Sequence, residues 1–110
     1  GEARREFLHV DDLADACLFL MDHYSEAGHV NVGTGVDLTI RELAEAVRNL
    51  VHPGAELSFD PTKPDGMPRK VLDVSRLSDL GWTASTSLVD GLVDTYRWFL
   101  DAAERGELRL

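Results

Sequence analysis

The sequence predicts a small α/β layer, and three observations carry that expectation. Short extended stretches alternate with longer segments, apolar residues recur at helical spacing in those segments, and cap signals stand at the starts of two of them. Arg4 to Val10 alternates and predicts a strand, with Phe7 and His9 on one face and Leu8 and Val10 on the other. Asp11 or Asp12 is suited to cap the helix that follows. That helix is expected to run to about Tyr24, with Leu13, Ala16, Cys17, Leu20, Met21 and Tyr24 as its apolar stripe. Gly28 closes the connection, and His29 to Val32 predicts a second strand.

Gly33-Thr34-Gly35 then reads as a turn; without the full GxGxxG spacing and an immediate helix it is weak evidence for phosphate binding. Thr39-x-x-Glu42 is a capping box, opening a helix with Ile40, Leu43, Ala44, Val47, Leu50 and Val51 on one side; His52-Pro53-Gly54 stops it. Glu56 to Phe59 predicts a third strand. Asp60 to Val74 is a stiff polar loop holding three of the four prolines. Asp73 or Ser75 begins a short helical turn through Leu80, closed by Gly81. Ser87-x-x-Asp90 opens the last helix, with Leu88, Leu92, Tyr96 and Phe99 as its core stripe and Val89, Val93 and Leu100 beside it. Fraying is expected in the charged tail after Ala103.

A chain of 110 residues builds one domain, residues 1–110, and the absence of a starting methionine reads as a piece of a longer protein. The net charge of -9 disfavours nucleic acid and anionic membranes as partners. No apolar run approaches the roughly 20 residues that span a bilayer. The single cysteine, Cys17, suits a reducing cytoplasm and is expected to be a buried small hydrophobe. His9, His23, His29 and His52 are scattered, so no metal site is expected. There is no GxSxG, and Asp11-Asp12 is better explained by capping than by paired acid–base catalysis. The expected catalytic set is therefore empty.

Candidate binding groups remain. Arginine matches phosphate with a rigid fork and lysine adds a mobile charge. Arg4 and Arg5 enter the first strand, while Lys63, Arg69 and Lys70 set residues 61–70 at a local +2 against one acid, Asp65. If the fold joins these two arms, they form a diphosphate pocket in which Asp65 accepts hydrogen bonds from hydroxyl or amino groups.

Taken together, Arg5-Glu6-Phe7-Leu8-His9-Val10-Asp11-Asp12, Asn31-Val32-Gly33-Thr34-Gly35, Thr39 to Ala44, Lys63 to Asp73, Gly81-Trp82 and Thr95-Tyr96-Arg97-Trp98-Phe99 resemble the GDP-L-fucose synthases. The first two stretches are common to extended short-chain dehydrogenases of the NAD-dependent epimerase/dehydratase superfamily that act on nucleotide sugars. The Lys63–Lys70 loop together with Gly35 to Ala44 is more specific to the fucose enzyme. The resemblance implies the C-terminal substrate-binding domain of an enzyme that makes GDP-L-fucose from GDP-4-keto-6-deoxy-D-mannose by 3,5-epimerisation and NADPH-dependent 4-reduction. Arg5 and Lys70 match diphosphate-contacting positions and Asp65 a substrate-contacting one, with Arg69 adjacent; His9 and Asp12 match structural members of their motif. NADPH, the catalytic residues and the homodimer contact are implied to lie in an N-terminal Rossmann domain not in this chain, so the fragment alone is expected inactive and without cofactor. The alternatives are the same domain of a sister nucleotide-sugar epimerase or dehydratase, and a stand-alone sugar-nucleotide-binding or interaction module.

Overall fold

The computed structural model describes residues 1–108. Its elements are β1 (Arg4–Glu6), α1 (Val10–His23), β2 (Asp37–Thr39), α2 (Ile40–Val51), β3 (Arg69–Lys70), α3 (Ser75–Asp79) and α4 (Leu88–Glu104). The sheet order is β2-β1-β3, with β1 antiparallel to β2 and parallel to β3. The expected α/β class holds, with three longer helices and one short turn of helix.

The strands are not where local pattern put them. β1 stops at Glu6 because its partners offer only Asp37–Thr39 on one side and Arg69–Lys70 on the other. Phe7 to His9 continue without a ladder. His29 to Val32 is not a strand either. Val30 and Val32 do pack against the core, but the segment is tied by Arg76 donating to the His29 carbonyl at 3.1 Å and by the Asn31 side-chain amide donating to the Asp73 carbonyl at 3.0 Å. Glu56 to Phe59 also stays unpaired, its Phe59 ring lying 4.3 Å beneath the Arg41 guanidinium. Arg69–Lys70, inside the polar loop, takes the third-strand place instead.

The α1 cap also differs. His9 is the N-cap, its Nδ1 accepting from the Asp11 N–H at 3.4 Å. Asp12, nearly fully buried, instead accepts from the Ser85 hydroxyl and the Thr86 N–H, both at 2.9 Å, tying the start of α1 to the entrance of α4. His9 rests against Gly91 of α4, where a Cβ would lie 2.9 Å from its ring. The buried face of α1 is consequently Asp12, Ala16 and the flank of Phe19 and Leu20. At about 100° per residue, Cys17 and Met21 are rotated off that face. Cys17 is exposed, contrary to expectation, and Met21 is 80% exposed.

The cap signals expected at Thr39 and Ser87 form. Thr39 accepts from the Glu42 N–H at 3.1 Å while the Glu42 carboxylate accepts from the Thr39 N–H at 2.7 Å. Ser87 accepts from the Asp90 N–H at 3.1 Å. α2 and α4 pack together, though Phe99 is more exposed than a core stripe requires. α3 begins at Ser75, whose N–H donates to Asp73 at 3.0 Å, and ends where the Trp82 N–H returns to the Leu77 carbonyl at 3.2 Å. α4 runs one residue past Ala103 to Glu104; the end of the charged tail, residues 109 and 110, lies outside the described residues.

The core is Ala16, Leu77 and Trp82, with Leu8, Phe19, Leu20, Val30, Val32 and Ala84 around it. The Trp82 indole N–H is satisfied by Asp15 at 2.8 Å. The molecule is a flat slab, 49 × 38 × 22 Å, with a radius of gyration of 16.8 Å against about 13 Å for an ordinary domain of this size. Few side chains are fully enclosed, so each counts. Leu77→Ala is expected to lower the unfolding free energy by about 2 to 5 kcal/mol. Thr39→Ala, which removes a cap, should cost about 1 kcal/mol. Urea denaturation of the two variants beside the parent measures both.

Candidate functional site

The sheet brings the two basic arms together. In the parallel register Arg4 faces Arg69 and Arg5 faces Lys70. Side chains alternate along a strand, so the first pair projects to one side of the sheet and the second to the other. Adjacent strands lie about 4.8 Å apart, which sets Arg5 and Lys70 side by side.

The two pairs have different fates. Arg4 Nε donates to Asp37 Oδ1 at 2.9 Å and its Nη2 donates to the Asp37 carbonyl at 3.0 Å. Arg69 Nε donates to the other carboxylate oxygen of Asp37. The Asp37 side chain is 5% exposed, and one residue from each strand meets there. The hydrogen bond from Arg69, ahead of the contribution from Arg4, holds the Asp37 carboxyl below its ordinary 3.8 against the opposing effect of desolvation. Arg69 is thus committed to a structural partner through Nε, and Arg4 likewise.

Arg5 and Lys70 carry no ion pair among the described residues. Arg5 donates to two backbone carbonyls, that of Arg4 at 2.6 Å and that of Asp65 at 3.4 Å. The second bond draws the turn of the polar loop over β1 and leaves the Asp65 carboxylate outside the contact. An open cleft of about 630 Å³ lies alongside, lined by Arg5, Glu6, Met67 and residues 69–72. Its lining joins Arg5 and Lys70, and Arg69 whose Nε is held by Asp37, to the apolar Met67, Val71 and Leu72, a lining suited to an anion joined to a less polar body. Of the four expected site residues, Arg5, Arg69 and Lys70 line this cleft, while Asp65 does not and meets Arg5 only through its backbone carbonyl. Lys63 is exposed on the loop and does not line it.

Glu6 was not singled out by sequence pattern, yet it organises the cleft. Its carboxylate accepts from the Leu72 N–H at 2.8 Å, the Gly35 N–H at 2.7 Å and the Thr34 hydroxyl at 3.2 Å. Burial pushes the Glu6 carboxyl up, but these hydrogen bonds, led by that from Leu72, outweigh it and leave it below its ordinary 4.5. Gly33-Thr34-Gly35 is therefore a receptor for a side chain of the same protein. Gly35 has φ +72°, and a Cβ on Gly33 would collide with the Glu6 carboxylate. The one signal in the sequence was an acid beside two arginines at the end of a strand. Among the described residues no group of three or more His, Cys, Asp or Glu is arranged to hold a metal ion, and no helix is long and apolar enough to cross a membrane.

Residues 1–33 match the model of the NAD dependent epimerase/dehydratase family. The chain is 59% identical over 100 residues to GDP-L-fucose synthase 1 of Arabidopsis thaliana, covering 91% of this chain and 31% of that protein. With the GDP-L-fucose synthase of Escherichia coli strain K12 it is 48% identical over 114 residues, covering 96% and 36%. The fold superposes on the GDP-mannoheptose C4 reductase of Campylobacter jejuni, solved with NADP bound, with a TM-score of 0.76 and 39% identity over 91% of this chain and 32% of that one. The chain thus spans about a third of the length of the curated relatives it matches, and corresponds to the C-terminal portion of GDP-L-fucose synthases.

The carboxylates at the site give a pH dependence of definite sign. A carboxyl held below its ordinary value contributes stability that is complete above that value and is lost as pH falls through the folded-state value. Asp37, from 3.8, and Glu6, from 4.5, both act this way. So does Asp12, where burial raises the value but the bonds from Thr86 and Ser85 outweigh it. Stability is therefore expected to decline as the solution is acidified below about pH 4.5. Asp37→Asn should lower stability at neutral pH and make that acid decline shallower, as read from urea midpoints across the acid range.

Proposed function

We propose that this chain, similar over nine-tenths of its length to the C-terminal third of GDP-L-fucose synthases, is the nucleotide-sugar-binding part of such an enzyme. In this reading residues 1–110 form one substrate-binding domain. The whole enzyme converts GDP-4-keto-6-deoxy-D-mannose to GDP-L-fucose by 3,5-epimerisation and NADPH-dependent reduction of the 4-keto group. The observation that carries the reading is the parallel β1–β3 pairing, which stands Lys70 beside Arg5 at the edge of a cleft large enough for a diphosphate and part of a sugar. Arg5 offers a fork to one phosphate and Lys70 a point charge to the next. Asp65, at the loop's turn, accepts from sugar or base hydroxyl and amino groups, and Arg69 lends its remaining N–H groups while Nε stays on Asp37.

NADPH supplies the hydride when bound, and the Gly33-Thr34-Gly35 turn is not free to cradle its phosphates. The Gly35 N–H, the donor such a cradle would use, is spent on Glu6. Cofactor, catalytic groups and the homodimer contact are assigned to the rest of the enzyme, which works in the cytoplasm on a small-molecule substrate and engages no nucleic acid. The charge of -9 supports the last point.

In the full-length protein, Arg5→Ala and Lys70→Ala should each weaken GDP binding by about 1.5 to 3 kcal/mol, the loss of one charged hydrogen bond. Titration calorimetry checks it, and unchanged affinity in both variants would refute the assignment. NADPH oxidation should depend on GDP-4-keto-6-deoxy-D-mannose. Activity on UDP-hexoses without it would move the chain to a sister epimerase or dehydratase.

A further inference from the structure

We infer that Glu6 is the positioning residue of the anion cleft, setting the distance between Arg5 and Lys70 through the bonds its carboxylate makes to two other segments. This rests on the diphosphate reading above and goes beyond it by assigning the element that holds the site in register. β3 is two residues long and lies inside a proline-rich loop. Its hydrogen bonds to β1 are too few to hold it in place unaided. Beyond Lys70 the chain is caught at once, because the Leu72 N–H donates to Glu6 at 2.8 Å. The same carboxylate accepts from the Gly35 N–H and the Thr34 hydroxyl. One acid, the residue next to Arg5 in β1, thereby clamps the strand carrying Lys70 on one side and the turn leading to β2 on the other.

A Cβ on Gly33 would displace the Glu6 carboxylate from this position, and Gly35 takes a positive φ that presents its N–H to Glu6. Glu6 also lines the cleft with Arg5, Arg69 and Lys70, and among the described residues its carboxylate forms no ion pair. Its acceptor capacity is spent on backbone and hydroxyl donors, and the cations stay available for an anionic ligand. A glutamine keeps the shape but presents an amide NH₂ to one of these donors, so the bond to Leu72 or to Gly35 is lost and the clamp is weakened.

The test compares four variants in the full-length protein: Arg5→Ala and Lys70→Ala as references, and Glu6→Gln and Thr34→Val. GDP and NADPH affinities are measured by calorimetry, with the KM and kcat of the full reaction. Glu6→Gln is expected to weaken GDP binding about tenfold or more, as a misplaced ligand group does. KM for the sugar nucleotide should rise, with kcat and NADPH affinity near the parent values. Thr34→Val, which removes one donor from the clamp, should move GDP affinity the same way by less and decides the matter if Glu6→Gln does not fold. Weakening of GDP and NADPH alike would mark general loosening and overturn the positioning role. Parent-like GDP affinity in folded Glu6→Gln or, failing that, in Thr34→Val overturns it too. If the two references also bind GDP normally, the diphosphate reading itself fails.

Discussion

A sheet whose strands are three, three and two residues long makes few ladder hydrogen bonds, and the register of this one depends on Asp37. Its carboxylate faces Arg4 of β1 and Arg69 of β3 while its own backbone belongs to β2. An acid this enclosed would be costly if either guanidinium were absent, since burial penalises an unpaired charge far more than it rewards a paired one. The triad is therefore all or nothing: the three strands either meet in this register or the charge has no home. The interaction contributes specificity of pairing more than net stability. Specificity is what a loop strand separated from its partner by more than 60 residues needs.

That lock decides which cations can act on a ligand. Four basic side chains alternate along β1 and β3, and alternation in a strand divides them two and two between the faces of the sheet. On the face that meets Asp37, Arg4 and Arg69 share its carboxylate. The other face keeps its charge. In a chain of net charge -9 these two cations without ion pairs are a local exception, and their pull on an anion is screened by salt. The sequence could show that arginines and lysines gather near two segments, but only the register shows which are spent.

The legible parts of the fold are the local ones. The Thr39 capping box and the Ser87 cap are contained within four residues each, so the sequence states them completely. The three longer helices follow from the same short-range information. Strands require a partner, and the partners here lie 33 and 65 residues away in the chain. That is why Val30 and Val32 look like strand residues and serve only as core, while Arg69–Lys70 looks like loop and pairs. Asp12 shows the same limit. Beside Asp11 at a helix start it has every mark of a cap, yet its bonds go to Ser85 and Thr86, more than 70 residues on. Apolar periodicity marked faces on α1 without saying which would be covered, and Cys17 and Met21 fell on the open side. At the candidate site Arg5 and Lys70 were visible as charges. Glu6, which has no partner within 28 residues, was not.

The polar loop is best understood from what restrains it. Pro61, Pro64 and Pro68 limit the conformations open to its backbone, but they do not attach it to anything. Attachment comes from β1 through three successive residues: Arg4 shares Asp37 with Arg69, Arg5 donates to the Asp65 carbonyl, and Glu6 accepts from the Leu72 N–H. The loop is held at its turn, at its strand and at its exit by neighbours in one tripeptide. A segment anchored in this way gives little entropy up when a ligand arrives, because most of that cost was met on folding. The same anchoring explains how a loop with almost no regular structure can hold Lys70 at a fixed separation from Arg5. The tripeptide Arg4-Arg5-Glu6 is thus both a strand of the sheet and the template on which the cleft is assembled.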